Sequence, residues 1–277
     1  MTNALDGVLD HYRATGLTER LQAALRIFGP QDQRLTPEQL GVLDQFHTRG
    51  LTATAELAAL AGITADTSVL DVGSGVGGPA RFLAATYGCR VIGVDLSEPF
   101  VDGARYLTER TGQSGRVSFQ TASALELPFD DGSFNIVLLQ HVAMNISDRA
   151  RLYGEIRRVL KSGGRFATFD AVLSSGEPYY PLPWAQTPTT SFLLTAAATR
   201  EAVEAAGFRT LAWQDDTETA KAWFAQLRAS GPPPSPNLGV VMGPDFAKLA
   251  ANLGRNLMEG RLGILTAVFE AAPTHIR

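Results

Sequence analysis

The sequence predicts an α/β protein built on a doubly wound, seven-stranded, mostly parallel sheet. From Ser68 onward, short apolar runs alternate with segments of helical periodicity, and the connections between them are short. Residues 134–139 are almost continuously apolar, as expected for a central parallel strand covered on both faces. A glycine-rich turn directly follows the first apolar run, which is typical of a small-molecule site at the strand ends.

The composition is that of an ordinary globular chain. Its 277 residues are 45% hydrophobic and 19% charged, and the formal net charge is −4 without a dense Lys/Arg run, so neither a nucleic acid nor a membrane surface is expected as a partner. The single cysteine, Cys89, excludes an internal disulfide and a metal site built from cysteines. No signal peptide and no bilayer-length apolar run is apparent, which favours a cytoplasmic location. The spacing of His, Cys and acidic residues indicates no metal.

Residues 1–62 are predicted to form an N-terminal helical lid. The apolar positions of the first predicted helix share one face: Leu5, Val8, Leu9 and Tyr12. The sequence Thr36-Pro37-Glu38-Gln39 predicts a helix start, because Thr is a cap, Pro suits the first position and Gln completes a capping box. We expect that helix to reach Phe46, and a second one to begin at Gly50 and end near Gly62.

Residues 63–277 are predicted to form the core domain. Its predicted strands are residues 68–72, 90–94, 117–121, 134–139, 165–173, 209–214 and 262–269. A helical excursion over residues 217–260 separates the last two, which predicts an antiparallel hairpin at one edge of the sheet. Residues 232–236 predict a stiff connector because four of the five are proline. Residues 174–194 are rich in Pro and aromatic side chains, and we expect them to form an irregular cap loop.

The glycine-rich turn begins two residues after Asp71, near the end of the first predicted strand. Gly73, Gly75 and Gly78 match G-x-G-x-x-G, a pattern that is weak alone but precedes a predicted helix here. Without Cβ atoms, such residues let a ligand approach the backbone, and the helix presents free N–H groups. The alternatives are a turn without a ligand and a nicotinamide dinucleotide site. The Asp71 carboxylate disfavours a pyrophosphate nearby and suits the ammonium of an amino acid moiety.

A second acid, Asp95, ends the second predicted strand. In this topology a carboxylate at that position accepts hydrogen bonds from both hydroxyls of a ribose. The alternative is that Asp95 caps the following helix, although Ser97 is equally suited to that task. We favour the ribose role.

Residues 122–134, ASALELPFDDGSF, complete a pattern that resembles the class I S-adenosylmethionine-dependent methyltransferases over about residues 63–173. The resemblance implies a Rossmann-like fold, S-adenosylmethionine as cofactor and a small molecule as substrate. The residues that it implies in cofactor binding are Asp71, Gly73, Ser74, Gly75, Gly77, Asp95, Leu96, Ser123, Ala124, Leu125 and Gln140.

The same resemblance implies a role for each part of this set. The glycines would approach the methionine part of the cofactor, and Asp71 would hold its ammonium through the loop or a water molecule. Asp95 would take the ribose, and residues 123–125 would line the adenine. Ser123 stands where the family commonly has Asp. Its hydroxyl still bonds the adenine amine, but without charge assistance, so this departure bears on affinity rather than on cofactor identity.

Several segments are similar to the sarcosine/dimethylglycine N-methyltransferases, which belong to a wider group with ubiquinone- and tocopherol-type methyltransferases. These are residues 44–50 (DQFHTRG), 140–146 (QHVAMNI), 180–185 (YPLPWA), 190–195 (TSFLLT) and 242–246 (MGPDF). This narrower resemblance implies methylation of a sarcosine- or dimethylglycine-like amine.

Methyl transfer from a sulfonium is an in-line displacement that positioning and water exclusion accelerate. A neutral amine needs no strong base, whereas a hydroxyl or an acidic carbon does. His141 and His47 are the candidates for such a base, and for each the alternative is a histidine with only a structural role. Candidate substrate contacts are Phe46, Arg49, Met144, Asn145, Tyr180, Trp184 and Phe192.

Two other functions stay open. The aromatic cap favours O- or C-methylation of a secondary metabolite, whereas an arginine in the pocket, such as Arg49, would favour an amino acid substrate. A protein of this fold that binds the cofactor without transferring a methyl group is the second alternative. The sequence does not indicate an oligomeric state.

Overall fold

The computed structural model describes residue 12, residues 15–231 and residues 236–272. Apart from Tyr12, the first predicted helix lies outside these residues, as does most of the predicted connector at residues 232–236. Within the described part of the chain, no helix has both the length and the apolar character needed to cross a membrane.

Seven strands form one sheet in the order β3-β2-β1-β4-β5-β7-β6. Their bounds are β1 Ser68–Val72, β2 Arg90–Asp95, β3 Val117–Thr121, β4 Phe134–Gln140, β5 Leu160–Leu173, β6 Phe208–Asp215 and β7 Leu262–Ala271. Strands β1 to β5 pair in parallel, and β7 is antiparallel to both β5 and β6. The predicted mostly parallel sheet is confirmed. The strand order reverses between β1 and β4, and a crevice opens at such a point beyond the carboxyl ends of the strands.

Ten α-helices in the described residues surround the sheet. Their bounds are α1 Leu17–Leu25, α2 Pro37–Asp44, α3 Gly50–Ala61, α4 Gly78–Tyr87, α5 Glu98–Thr111, α6 Arg149–Val159, α7 Ala196–Ala205, α8 Thr217–Ala229, α9 Gly239–Met242 and α10 Phe246–Met258. Helix α2 begins with the predicted capping box. The Thr36 hydroxyl accepts from the Gln39 N–H at 3.3 Å, and the Gln39 side chain accepts from the Thr36 N–H at 2.9 Å.

Alternating residues of the central strands pack on opposite faces of the sheet, and both faces are buried. Val69 and Leu138 belong to the core on one face, and Leu70 and Leu139 belong to the core on the other. A third apolar cluster joins the lid to the core. In it, leucines of α1 and α2 pack against Val76, of the glycine-rich turn, and against side chains of α5. The lid helices are thereby held against the turn that follows β1.

The structure differs from the sequence prediction at the ends of two elements. Helix α2 ends at Asp44 rather than at Phe46, because the chain is already extended at Gln45. The predicted exit turn at residues 161–164 lies inside β5. There, Phe134 pairs with Leu160 while Ile136 pairs with Arg165, so the intervening residues form an irregularity in the β4–β5 register.

Residues 174–194 are largely irregular, and side chains of α10 hold part of this cap loop. The Asn256 amide accepts from the Tyr179 N–H at 2.8 Å and donates to the Tyr179 carbonyl at 2.9 Å. Asn252 donates to the Pro181 carbonyl at 2.9 Å. The guanidinium groups of Arg255, on α10, and of Arg261, just after α10, lie 3.7 and 4.1 Å from the centre of the Tyr179 ring. Cap loop and α10 therefore form one packed unit.

Candidate active site

A cavity of about 330 Å³ lies at the carboxyl ends of β1, β2 and β4, in the crevice predicted by the strand order. Its wall includes the glycine-rich turn, the loop after β3, the turn after β4, the lid and the cap loop. The predicted residues that line it are Phe46, Gly73, Gly75, Asp95, Leu96, Ser123, Ala124, Leu125, Gln140, His141, Met144, Asn145, Trp184 and Phe192. The other predicted residues, which do not line it, are His47, Arg49, Asp71, Ser74, Gly77 and Tyr180.

The glycine-rich turn needs glycine for conformation and for space. Gly73 and Gly75 have φ values of 72° and 53°, in the left-handed region that side chains disfavour. A Cβ atom on Gly73 would lie 2.3 Å from Val142, and one on Gly75 would lie 2.7 Å from the Phe46 ring. The turn is therefore enclosed between the lid and the segment after β4, while both glycines still face the cavity.

Asp95 is held at the cavity wall by two backbone donors. Its Oδ2 accepts from the Gly75 N–H at 2.8 Å, and its Oδ1 accepts from the Ser97 N–H at 2.9 Å. Each carboxylate oxygen accepts more than one hydrogen bond, so both keep capacity for a ligand hydroxyl. Burial raises the pKa of Asp95, and the backbone hydrogen bonds oppose that rise. Asp95 thus orders the turn and presents a fixed acceptor to the cavity.

Three buried polar atoms around the glycine-rich turn have no hydrogen-bond partner among the described residues: Asp71 Oδ2, Ser74 Oγ and Gln140 Oε1. Such atoms are costly to bury unless a ligand or water satisfies them. Burial, reinforced by Asp95, raises the pKa of Asp71 to about 7. A cationic hydrogen-bond donor fits this group of acceptors, as the ammonium of an amino acid moiety would.

Ser123 begins a short turn along the cavity wall. Its Oγ accepts from the Leu125 N–H at 3.2 Å, and the Glu126 N–H donates to the Ser123 carbonyl at 3.1 Å. The hydroxyl proton of Ser123 stays available for a further bond. The turn presents Ala124 and Leu125 to the cavity, which gives a flat ring an apolar surface.

His141 follows β4 in a left-handed backbone conformation, with φ of 54°. Its N–H donates to the Phe169 carbonyl at 2.8 Å, and its ring stacks on the Phe169 ring at a centroid distance of 5.4 Å. Its Nε2 lies 3.3 Å from the Thr48 hydroxyl. Burial, with a smaller contribution from His47, lowers the pKa of His141 to about 3. The imidazole is neutral at physiological pH and is a weak base.

His47 lies beside His141, with their ring centroids 6.3 Å apart, but it is enclosed within the lid. Its Nε2 lies 3.0 Å from the Gly50 carbonyl and 2.9 Å from the Thr54 hydroxyl. A carbonyl only accepts hydrogen bonds, so we infer that Nε2 carries the proton. Burial lowers the pKa of His47 to about 4. This arrangement orders the segment that leads into α3 and directs Nε2 to lid atoms.

Arg49 and Tyr180, two of the predicted substrate contacts, do not line the cavity and are held by contacts elsewhere. Arg49 forms an ion pair with Glu56 at 2.6 Å and has a φ of 66° at the start of α3. Tyr180 packs, half-buried, against the core on one face of the sheet.

The end of the cavity beyond His141 is largely apolar. Met144, Trp184 and Phe192 line it, together with Met242 and Phe246 from the end of α9 and the start of α10. The Trp184 N–H donates to the Ser191 hydroxyl at 3.0 Å, so its ring is held in place. Among the described lining residues, Asp95 is the only Asp, Glu, Lys or Arg. Within the same part of the chain, no group of three or more His, Cys, Asp or Glu could hold a metal ion.

Several residues that line the cavity were not predicted from the sequence. Met242 and Phe246 belong to a segment that carried the resemblance, but the sequence alone assigned them no place at the cavity. Tyr12 also lines it, with its hydroxyl 3.4 Å from the Asn145 amide nitrogen. Asp170, outside the wall, accepts from the Ala143 N–H at 2.9 Å and so shapes the turn after β4. An acid within an otherwise apolar strand is the signal that could have indicated Asp170.

Residues 70–175 match the family model described as a methyltransferase domain. Together with the fold, this match shows that the segment carrying the glycine-rich turn is similar to a methyltransferase domain, in agreement with the resemblance seen in the sequence.

Two curated relatives and one solved structure illustrate the range of similar proteins. A sterol 24-C-methyltransferase of Eremothecium gossypii is 37% identical over 118 residues, which cover 43% of this chain and 32% of the relative. A sarcosine/dimethylglycine N-methyltransferase of Halorhodospira halochloris is 30% identical over 164 residues, or 59% of each protein. The chain therefore spans from about a third to three fifths of the length of these relatives.

The structure of geranyl diphosphate C-methyltransferase from Streptomyces coelicolor A3(2) superposes with a TM-score of 0.71. The match covers 98% of this chain and 99% of that chain at 17% sequence identity. At this level of identity the likeness concerns the fold, and it includes the lid and the helical excursion.

Proposed function

We propose that the protein transfers a methyl group from S-adenosylmethionine to a carbon or oxygen atom of a largely apolar small molecule. The observation that carries this proposal is the apolar wall beyond His141, where the described lining residues include no Lys or Arg. A sarcosine-like amine carries a carboxylate, whose burial without a cationic partner is unfavourable. Arg49, the cation that would have favoured such a substrate, is paired with Glu56 outside the cavity.

The proposed cofactor arrangement uses the buried half of the cavity. Asp95 accepts from the ribose hydroxyls, and the turn at Ser123 borders the adenine. The acceptors Asp71 and Gln140 receive the ammonium of the methionine part, directly or through water. The support for this arrangement is the set of buried polar atoms without partners among the described residues. When bound, S-adenosylmethionine supplies a methyl group already activated on a positive sulfur.

The protein's share of the chemistry is positioning and exclusion of water. In the proposed transfer, the bond from the methyl carbon to sulfur breaks as the bond to the acceptor forms, and sulfur keeps the electron pair. The cap loop and α10 cover the acceptor end and keep water from competing. Neutral His141 is too weak a base to ionise an alcohol. The site therefore suits an electron-rich carbon, whose cationic product loses its proton to solvent after transfer, or a hydroxyl acidic enough to lose its proton to solvent before it binds.

A second candidate is the predicted methylation of a sarcosine- or dimethylglycine-like amine. The similarity to a sarcosine/dimethylglycine N-methyltransferase over 59% of the chain supports it. A neutral amine also needs no base, which agrees with the low basicity of His141.

Methyl-labelled S-adenosylmethionine and two acceptor panels distinguish these functions. One panel contains isoprenoids, sterols and phenols, and the other contains glycine, sarcosine and dimethylglycine. We expect label in the apolar panel only. Label on sarcosine with none on an apolar compound would overturn the first proposal and support methylation of an amine. Calorimetry with S-adenosylhomocysteine is the control: tight binding without transfer to any acceptor would favour a cofactor-binding protein that transfers no methyl group.

A further inference from the structure

We propose that the buried ion pair between Asp44 and Arg81, outside the cavity, is a positioning device that sets the affinity for the cofactor. It does so by fixing the lid and the glycine-rich turn in one arrangement. This inference rests on the proposed function only in taking S-adenosylmethionine as the ligand of the turn. Neither residue lines the cavity, so both act through other residues.

The Arg81 guanidinium joins three parts of the molecule. Its Nη2 donates to Asp44 Oδ2 at 2.8 Å and to the carbonyl of Val76 at 2.7 Å. Its Nη1 lies 3.2 Å both from the carbonyl of Ala104 and from the hydroxyl of Thr108, on α5. The lid, the glycine-rich turn and α5 are thus bound to one planar, rigid group. Both side chains of the ion pair are buried, at 0% and 1% exposure.

The segment from Asp44 to Phe46 packs closely against the glycine-rich turn and the start of α4. A Cβ atom on Gly78 would lie 2.2 Å from the Asp44 carbonyl oxygen and 2.5 Å from the Gln45 amide nitrogen. One residue further, the Phe46 ring covers Gly75 and forms part of the cavity wall. The position of Asp44 therefore determines where the lid meets the cofactor.

The ion pair is also connected to Asp95, the proposed ribose-binding carboxylate, through the glycine-rich turn. Arg81 holds the carbonyl of Val76, and the preceding residue, Gly75, donates its N–H to Asp95. If the turn loses the Arg81 contact, the donor that orients Asp95 loses its support. The expected effect is on cofactor affinity rather than on the chemistry at the acceptor.

The double variant Asp44→Leu/Arg81→Met separates positioning from stability. The double change avoids leaving one buried charge alone, but the carbonyls of Val76 and Ala104 lose their donor, so we expect some loss of stability. The folded variant, tested in calorimetry well below its unfolding temperature, should bind S-adenosylhomocysteine at least ten times more weakly. Once a methyl acceptor has been identified, KM for S-adenosylmethionine should rise by a similar factor, while kcat should change less than about threefold.

Two further variants complete the test. Arg81→Lys keeps the charge but not the fork that reaches both Asp44 and Val76, so its affinity should also fall at least fivefold. The control is Glu218→Leu/Lys221→Met, which removes an ion pair of α8, and its affinity should be that of the wild type. If the double variant does not fold, the affinity of Arg81→Lys for S-adenosylhomocysteine is the test of the proposal.

Wild-type affinity in a folded Arg81 variant would overturn this inference and leave the proposed function standing. Failure of the wild-type protein itself to bind S-adenosylhomocysteine would instead overturn the proposed function.

Discussion

Burial shifts the pKa of three side chains at and beside the cavity. It raises the pKa of Asp71 and of Asp170 to about 7 and lowers that of His141 to about 3. The two acids are therefore partly protonated near neutral pH, while the imidazole is uncharged. For Asp71 this has a direct consequence, because an ammonium group binds a carboxylate far better than a carboxylic acid.

We predict that cofactor affinity rises with pH because Asp71 loses its proton. The dissociation constant of S-adenosylhomocysteine, measured by calorimetry at pH 6, 7 and 8, should fall across this range. Asp71→Asn should abolish the dependence and weaken binding at pH 8 roughly tenfold or more, the loss expected for one charge-assisted hydrogen bond.

Ser123→Ala is the matched control for this pH dependence. It removes a neutral hydroxyl at the proposed adenine end, so it should weaken binding by the same factor at every pH. A wild-type affinity that is flat from pH 6 to 8 would contradict the role given to Asp71.

The stability of the free protein supplies a second readout of Asp71→Asn. A carboxyl whose folded pKa is raised stabilises the fold below its unfolded pKa, and that stability is lost as pH rises through about 7. The uncharged amide escapes this loss. Without cofactor at pH 8, the variant should therefore be more stable to urea, by on the order of 1–4 kcal/mol.

Among the elements, the cap loop depends on α10 for its position. Asn256 is fully buried and bonds both the N–H and the carbonyl of Tyr179, whereas Asn252 bonds only the Pro181 carbonyl. Since Trp184, which lines the apolar end of the cavity, follows a few residues later, the anchor at Tyr179 also helps to position that end.

We predict that Asn256→Ala lowers the free energy of unfolding by about 2–4 kcal/mol, because it leaves the partly buried N–H and carbonyl of Tyr179 without partners. Hydrogen exchange in residues 179–192 should become faster. Asn252→Ala, the matched change one helical turn earlier, should cost about 1 kcal/mol. Equal effects of the two variants would show that Asn256 is not the principal anchor.

Strands were predictable where polar or glycine residues close an apolar run. β1 and β3 have the predicted bounds, and the other strands differ by one or two residues at an end, apart from the start of β5. Helix α2 was predicted two residues too long because the contact of Phe46 with Gly75 is tertiary. A local pattern does not encode such a contact, and the same holds for the register irregularity between β4 and β5.

Residues at strand ends were predictable neighbours of the cavity, since parallel strands bring their carboxyl ends to one edge. Asp95, Gln140 and His141 line the cavity on that ground. Residues that reach it from the lid or from the 217–260 excursion depend on docking between distant segments. That is why Arg49 was placed at the substrate and Phe246 was not. The roles of the lining residues, the domain boundary at residue 62 and the cytoplasmic location stay predictions.

At the scale of the whole molecule, the two halves of the cavity are covered by different segments. The lid covers the glycine-rich turn through Phe46, while the cap loop and α10 cover the apolar end. The proposed cofactor arrangement therefore contacts the lid more than the cap.

We predict that S-adenosylhomocysteine slows hydrogen exchange in residues 45–49 much more than in residues 179–192. It should also stabilise the protein by about 2.7 kcal/mol at a free concentration one hundred times its dissociation constant. Exchange mass spectrometry and urea unfolding provide the two measurements. Stronger protection of the cap than of the lid would argue that the cofactor occupies the apolar end instead.

The place of β7 in the sheet has a consequence for how the protein is made. This strand lies between β5 and β6, yet both of its neighbours precede it in the chain. Synthesis proceeds from the N-terminus, so the ribosome must still add residues 216–271 after β6 is complete. At cellular elongation rates this takes on the order of several seconds. Throughout that interval, the edges of β5 and β6 that later pair with β7 have no strand to receive their N–H and C=O groups. The nascent chain can therefore pair with incorrect strands.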